Sequence, residues 1–248
     1  ENRPKRSKFP TMCGITGIIA ANMLGQMHMI HLVRATETLE SRGPDHQDFY
    51  LEDFVGLGHR RLSIIDTNYQ ANQPIVDATG RYVIVYNGEV YNYKALRQDL
   101  IQQGFTFNTE SDTEVVLNAY IAYKEKAFEK LNGFFGLAIY DKEEKTTIIA
   151  RDRYGIKPLY YFYDEDKFLF ASEAKALYKF NIPLKLNTTS LSTYFQLNYL
   201  PDTVTMVEGI HKVPAGGYLK LDAEHKLSSH TYYKLPTPAA PKTKDTYE

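Results

Sequence analysis

Cys13 is the only cysteine among 248 residues, and it heads the stretch Met12-Cys13-Gly14-Ile15-Thr16-Gly17-Ile18-Ile19. A lone cysteine is most often a small buried hydrophobe. Its chemistry changes if Met12 is an initiator whose removal exposes Cys13 as the N-terminus. A free α-amine then stands beside the thiol. Its pKa of about 7.7–8.0 against about 8.5 for the thiol lets it take the sulfur's proton near neutral pH without a histidine. Asn87-Gly88 follows Tyr82-Val83-Ile84-Val85-Tyr86. In that position it is a strong hairpin signal. It is equally a pair of donors, a side-chain amide and a backbone N–H, that a developing oxyanion could use. Asp112, in Ser111-Asp112-Thr113-Glu114, suits the first turn of a helix. Arg61 and Glu89, taken singly, read as surface charges.

The elements that must carry these residues follow from periodicity and punctuation. Leu24 to Ser41 reads as a helix with Met29, Val33, Thr36 and Leu39 on one face, stopped by Gly43-Pro44. Phe49 to Ile65 reads as two short strands around Gly56 and Gly58, and Tyr82 to Tyr86 as one more. Asn92 to Gln103 is a helix closed by Gly104, and Ser111 to Leu131 a longer one opened with capping-box spacing. Phe134–Tyr140, Thr146–Arg151, Leu159–Tyr163 and Phe168–Ala171 read as strands. Leu191 to Leu197 reads as a helix, and Gly217–Leu221 with His230–Lys234 as a hairpin. Strand runs separated by a few helices indicate an α+β layered domain.

Composition narrows the class. Hydrophobic residues at 43% and charged residues at 24% exclude wholesale disorder. A single cysteine excludes a disulfide framework and a multi-Cys zinc site. A net charge of -1 gives no reason to expect nucleic acid or an anionic membrane. The longest apolar runs are strand-length, far short of the ~20 residues of a membrane helix. Arg3, Lys5, Arg6 and Lys8 outweigh Glu1 before the apolar stretch, but two glycines and a threonine interrupt that stretch, so it makes a poor secretory core. Residues 1–12 are read as a leader, propeptide or remnant, and 13–235 as one domain. After Leu235, Pro236-Thr237-Pro238-Ala239-Ala240-Pro241-Lys242 has linker composition over 236–248.

Six segments in order carry a resemblance. They are Met12-Cys13-Gly14-Ile15, Arg42-Gly43-Pro44-Asp45, Gly58 to Asp66, Tyr86-Asn87-Gly88-Glu89-Val90-Tyr91-Asn92, Ser111-Asp112-Thr113-Glu114 and Ala150 to Tyr161. Together the chain resembles the class II glutamine amidotransferase domain, an N-terminal-nucleophile hydrolase, and within it the glutaminase half of the asparagine synthetases. The resemblance implies a four-layer αββα sandwich of two antiparallel sheets between helix layers. It implies that Cys13 attacks the glutamine amide while Asn87 and Gly88 hold the oxyanion. Arg61 would bind the substrate carboxylate through its bidentate fork. Glu89 and Asp112 would bind the ammonium, and the backbone of Leu62, Ser63, Ile64 and Ile65 would line the pocket. Gly155 and Pro158 read as turn residues, and the histidines have no assigned role.

The resemblance implies no cofactor and no metal for this domain. ATP and magnesium belong to a synthetase domain, fused C-terminally or separate, whose Ser-Gly-Gly-x-Asp-Ser loop does not occur in this sequence. Expected partners are glutamine and that domain, with no nucleic acid and no membrane, in the cytoplasm. The oligomeric state is left open, a homodimer included. The reading from a different class is a non-catalytic glutamine-binding or regulatory module.

Overall fold

The structure, a computed structural model, describes residues 12–62, 71–201 and 203–236. Two six-stranded antiparallel sheets dominate it. The first contains β1 (Gly14–Ala20), β2 (His46–Glu52), β3 (Val55–Arg61), β8 (Tyr160–Tyr163), β9 (Lys167–Ala171) and β10 (Ile210–Lys212), in the order β10-β8-β9-β1-β3-β2. The second contains β4 (Ile75–Val76), β5 (Tyr82–Val90), β6 (Gly133–Asp141), β7 (Thr146–Arg151), β11 (Gly217–Leu221) and β12 (Leu227–Thr231), in the order β12-β11-β7-β6-β5-β4.

Side-chain alternation along the strands produces three cores. Between the sheets, Ile15 and Ile19 of β1, Leu57 of β3 and Phe170 of β9 meet Val83 and Val85 of β5, Ala138 of β6 and Ile149 of β7. The outer face of the first sheet buries Ile18 and Leu169 against Leu32, Ala35 and Leu39 of the α2 region and Leu177 of α6. These helices are α1 (Met23–Met27), α2 (Leu32–Glu37) and α6 (Ala174–Leu177). The outer face of the second sheet buries Ile84, Tyr86, Phe135 and Leu137 against Leu96, Leu100, Val115, Leu117 and Phe128. Those come from α3 (Tyr93–Gln102), α4 (Asp112–Tyr123) and α5 (Ala127–Lys130). The architecture is the αββα sandwich. Each fully buried aliphatic or aromatic side chain contributes about 1.5–3 kcal/mol, so the three cores need neither disulfide nor metal to hold the layers.

Several expectations change in detail. The helix expected over Leu24 to Ser41 is broken by a 3₁₀ turn at His28–His31 and ends at Glu37. Three residues per turn there shift the helical phase. The buried face is therefore Leu32, Ala35, Thr36 and Leu39, and Val33 is exposed. Gly56 and Gly58 lie inside β3, not at a turn, and pair with Ile18 and Thr16 of β1. The helix from Ser111 breaks at Lys124, whose φ is +51°. Ser111 caps it by accepting from the Thr113 N–H. Glu114, however, does not close a capping box: it turns outward to the N–H groups of Asn108 and Thr109. The last hairpin pairs Gly217–Leu221 with Leu227–Thr231, several residues earlier than expected.

Candidate active site

The Asn-Gly pair is not a turn. β5 runs through it to Val90, with Asn87 opposite Gly136 and Gly88 opposite Phe135 on β6. Nine residues of ladder override a two-residue turn preference. Glycine is required at 88 for space: a Cβ there would lie 2.5 Å from the Phe134 carbonyl oxygen and 2.8 Å from the Tyr86 ring. Alternation puts Tyr86 among the helices and leaves Asn87 in the wall of a pocket at the end of the inter-sheet layer.

That pocket has a volume of about 90 Å³, several times the roughly 10–15 Å³ that holds one water. Cys13, Arg61, Leu62, Asn87, Gly88, Glu89 and Asp112 all line it. Seven of the ten expected site residues are thus brought together. The other three, Ser63, Ile64 and Ile65, lie outside the described residues.

Cys13 stands at the mouth of β1, its carbonyl held by Arg42 Nε at 3.0 Å. Arg42 is itself fixed by Glu173 at 3.0 Å. The sulfur exchanges weak bonds with one residue: the Leu62 N–H donates to it at 3.4 Å, and the thiol donates to the Leu62 carbonyl at 3.7 Å. Burial pushes the thiol pKa up, and the Leu62 N–H with the charges of Arg61 and Lys157 only partly offsets it. At neutral pH the group is a thiol that needs a base.

No histidine lines the pocket among the described residues. His59, directly behind it on β3, is fully buried, and desolvation lowers its pKa to about 3. It is neutral, and its Nε2–H donates to the Tyr86 carbonyl at 3.3 Å. It is not the base.

Asn87 is 1% exposed, yet among the described residues neither its Nδ2 nor its Oδ1 has a hydrogen-bond partner. An orphaned buried amide costs about 1–3 kcal/mol. It is the kind of vacancy a substrate oxygen fills.

Across the pocket, Asp112 opens α4 with Oδ2 bonded to the Tyr86 hydroxyl at 2.8 Å and the Val90 N–H at 3.0 Å. Burial raises its pKa, and the neighbouring charge of Glu89 adds to the rise against those two hydrogen bonds. With Glu89 beside it, Asp112 places two carboxylates at this end, an arrangement that favours a cationic group there. Arg61, at the edge of β3, is buried and bonded to Asn72.

Sequence reasoning passed over several contributors. Lys157 is 2% exposed, and its ammonium contacts the Met12 sulfur at 2.9 Å, beside the nucleophile. Burial lowers its pKa, with Arg42 adding to that, while Cys13, Asp152 and Glu89 oppose it. Its loop is pinned by Asp152, which accepts from the N–H groups of Tyr154, Ile156 and Lys157. Arg151 seals the turn onto the carbonyls of Lys157 and Val213 at 2.7 and 2.9 Å. Gly155, with φ +66°, fits the predicted turn role. The signal for Lys157 was a lysine between Ile156 and Pro158 in an otherwise apolar stretch. Met12, Ala71, Gln73, Tyr86, Ser111 and Thr113 complete the wall.

Comparison with known proteins bears on family and fold. The family model for the glutamine amidotransferase domain matches residues 12–233. The chain is 37% identical over 225 residues to asparagine synthetase [glutamine-hydrolyzing] 1 of Bacillus subtilis, covering 90% of this chain and 35% of that protein. It is 34% identical over 238 residues to amidase chry2 of Gibberella zeae, covering 92% of this chain and 35% of that one. The glutamine phosphoribosylpyrophosphate amidotransferase structure from B. subtilis superposes with a TM-score of 0.60 at 18% identity, over 89% of this chain and 49% of its own. That likeness shows a shared sandwich fold. The chain thus spans about a third of the length of these two curated relatives and matches the glutamine amidotransferase part of the synthetase. It belongs to the glutamine amidotransferase family.

Proposed function

We propose that residues 13–235 hydrolyse glutamine to glutamate and ammonia through a thioester on Cys13. The observation that carries this reading is the buried, unpartnered Asn87 amide in the same pocket wall as a protonated, buried thiol. With Met12 attached, the Cys13 nitrogen is an amide and has no basicity. Once Met12 is removed, the α-amine takes the thiol proton and the sulfur attacks the amide carbon. The oxyanion takes hydrogen bonds from Asn87 Nδ2–H and the Gly88 N–H. The Cys13 α-ammonium passes the proton to the leaving nitrogen as the C–N bond breaks and ammonia departs. Water then cleaves the thioester C–S bond to release glutamate and return the thiol. Oriented donors of this kind are worth about a hundred- to a thousandfold each. Arg61 takes the substrate carboxylate, with the backbone of Leu62 to Ile65 along the same wall. Glu89 and Asp112 take the ammonium. None of these steps calls for a metal or organic cofactor.

The relatives' length supports a wider role. Residues 236–248 would lead into, or dock beside, an ATP- and magnesium-dependent synthetase domain that uses the ammonia to form an amide, aspartate being the acceptor the relatives' names suggest. A free nucleophilic thiol suits the reducing cytoplasm. Among the described residues no helix is long and apolar enough to cross a membrane.

Ammonia release from glutamine by three chains tests the core of this reading: one beginning at Cys13, one retaining Met12, and Cys13→Ala. The first is expected to turn over, and the other two to fall by roughly a thousandfold or more. Turnover with Met12 retained would sink the amine as base. Equal rates in Cys13→Ala would remove the nucleophile. Glutamine binding without turnover in all three would make the domain a binding module.

A further inference from the structure

Tyr86 is held at every polar atom it owns. Its N–H donates to Gln73 Oε1 at 2.6 Å, its carbonyl accepts from His59 at 3.3 Å, and its hydroxyl donates to Asp112 Oδ2 at 2.8 Å. Gln73 reaches on through Nε2 to Thr113 Oγ1 at 3.3 Å. Thr113 follows Asp112 in the chain, so a closed loop of contacts runs Tyr86, Gln73, Thr113, Asp112 and back to Tyr86. Tyr86, Gln73 and Asp112 are at most 5% exposed. Asn87 is bonded covalently to the pinned Tyr86 carbonyl, and both residues line the pocket.

We propose that Tyr86 and Gln73 are positioning residues that fix the oxyanion donor Asn87 relative to the ammonium-binding carboxylate Asp112. The pocket thereby reads the α-ammonium of glutamine at a set distance from its side-chain amide. This rests on the glutaminase reading above. Tyr86 aims Asp112 through its hydroxyl, and Gln73 anchors the backbone that carries Asn87.

The groups facing Asp112 are the Tyr86 phenol and Glu89 from β5, with Cys13 and Arg61 on the other walls of the same pocket. On its own helix Glu114 is turned to Asn108 and Thr109. Of these, the phenol is the donor side chain that stabilises the charged carboxylate.

The test compares glutamine with glutaramate, the same side-chain amide without an α-amine, in the active protein and in Tyr86→Phe. The ratio of the two kcat/KM values cancels the nucleophile and its base, leaving recognition of the ammonium. We expect Tyr86→Phe to raise KM for glutamine and to cut that ratio about tenfold, the scale of one hydrogen bond to a charged group, while glutaramate is turned over unchanged. The acid fall-off of the ratio should move to higher pH, because the carboxylate has lost a donor. Gln73→Met should instead lower kcat for both substrates together.

A merely structural role would lower both substrates equally in Tyr86→Phe, and an unchanged ratio and pH profile would overturn the proposal. Should Tyr86→Phe not fold, 3-fluorotyrosine at position 86 keeps the shape and strengthens the donor. The acid fall-off of the ratio must then move to lower pH, and no movement overturns the proposal. Failure of the unsubstituted protein to hydrolyse either substrate would strike at the glutaminase reading itself.

Discussion

The two ends of the pocket are incomplete in different ways. At the amide end the deficit is in hydrogen bonds: among the described residues Asn87 is buried with both amide atoms unpartnered, and the Cys13 sulfur makes long bonds to Leu62. At the amino-acid end the hydrogen bonds are made, since Asp112 Oδ2 takes two donors, and the deficit is in charge, with Glu89 beside a buried carboxylate. A ligand that brings an oxygen to the first end and an ammonium to the second repairs both. The difference matches what each end must do. Donors held in reserve are worth most where charge appears only during reaction. A fixed carboxylate suits a charge the substrate carries from the start.

The comparison breaks first at the amide end. In chain beginning at Cys13, Asn87→Ala should lower kcat for glutamine by about a hundred- to a thousandfold with little change in KM. Because the amide is unpartnered, its removal should leave the thermal midpoint within a degree or two, or raise it, by the usual exchange of stability for activity at such sites. A large fall in the midpoint would show that Asn87 is held by bonds of its own, and a lost KM with intact kcat would place it in ground-state binding.

At the other end the smaller effect is expected, and in the other parameter. Asp112→Asn keeps an acceptor for Tyr86 and Val90 but removes the charge. KM for glutamine should rise about ten- to a hundredfold, with kcat much less affected. The stability effect has a definite sign. Burial raises the folded pKa of Asp112 above its ordinary value. Such a group costs stability above the raised pKa, and the cost vanishes as pH falls toward the ordinary carboxylate range. Asp112→Asn should therefore be more stable than the parent at neutral pH and equal to it in strong acid. Denaturant melts at a series of pH values check this. A variant less stable at neutral pH would mean that the charge is already neutralised in the free protein.

The residues of the candidate site were legible because each lies in a short, recognisable segment. Cys13 behind Met12 and the donor pair Asn87-Gly88 carry a local chemical signal, whereas Arg61 and Asp112 read singly as a surface charge and a helix start and gain a site role only when the six segments are taken together. What supports them was not legible. Gln73 belongs to no motif, and its contacts to Tyr86 and Thr113 span 13 and 40 residues. The bond between Tyr86 and Asp112 spans 26 residues, and it exists because β5 and α4 pack face to face. The turn expected at Asn87-Gly88 differs from the structure for the same reason. Local preference pointed to a hairpin, and pairing with β6 decided otherwise. Lys157 was visible as a residue in a motif, but only the turn built by Asp152 and Arg151 brings its ammonium to Met12.

Glu114, two residues along the same helix turn, provides the finest cut between function and support. It too is buried, but its bonds fasten the loop before α4: Oε1 takes the Asn108 N–H, and Oε2 takes the N–H and hydroxyl of Thr109, all at 2.7–2.8 Å. Nothing is left for a ligand to complete. Glu114→Gln turns an amide N–H toward one of those donors and leaves it unpaired, which should cost about 1–2 kcal/mol and lower the thermal midpoint by a few degrees. Glutamine KM and kcat should change less than about threefold, since Asp112 keeps its own partners. The two substitutions are chemically alike, carboxylate to amide, two helix positions apart on either side of Thr113, yet they should move stability in opposite directions at neutral pH. If both destabilise, Asp112 is a structural cap like Glu114. If both stabilise, the acidic start of α4 as a whole, and not Asp112 alone, is what the amino-acid end of the pocket holds at a cost.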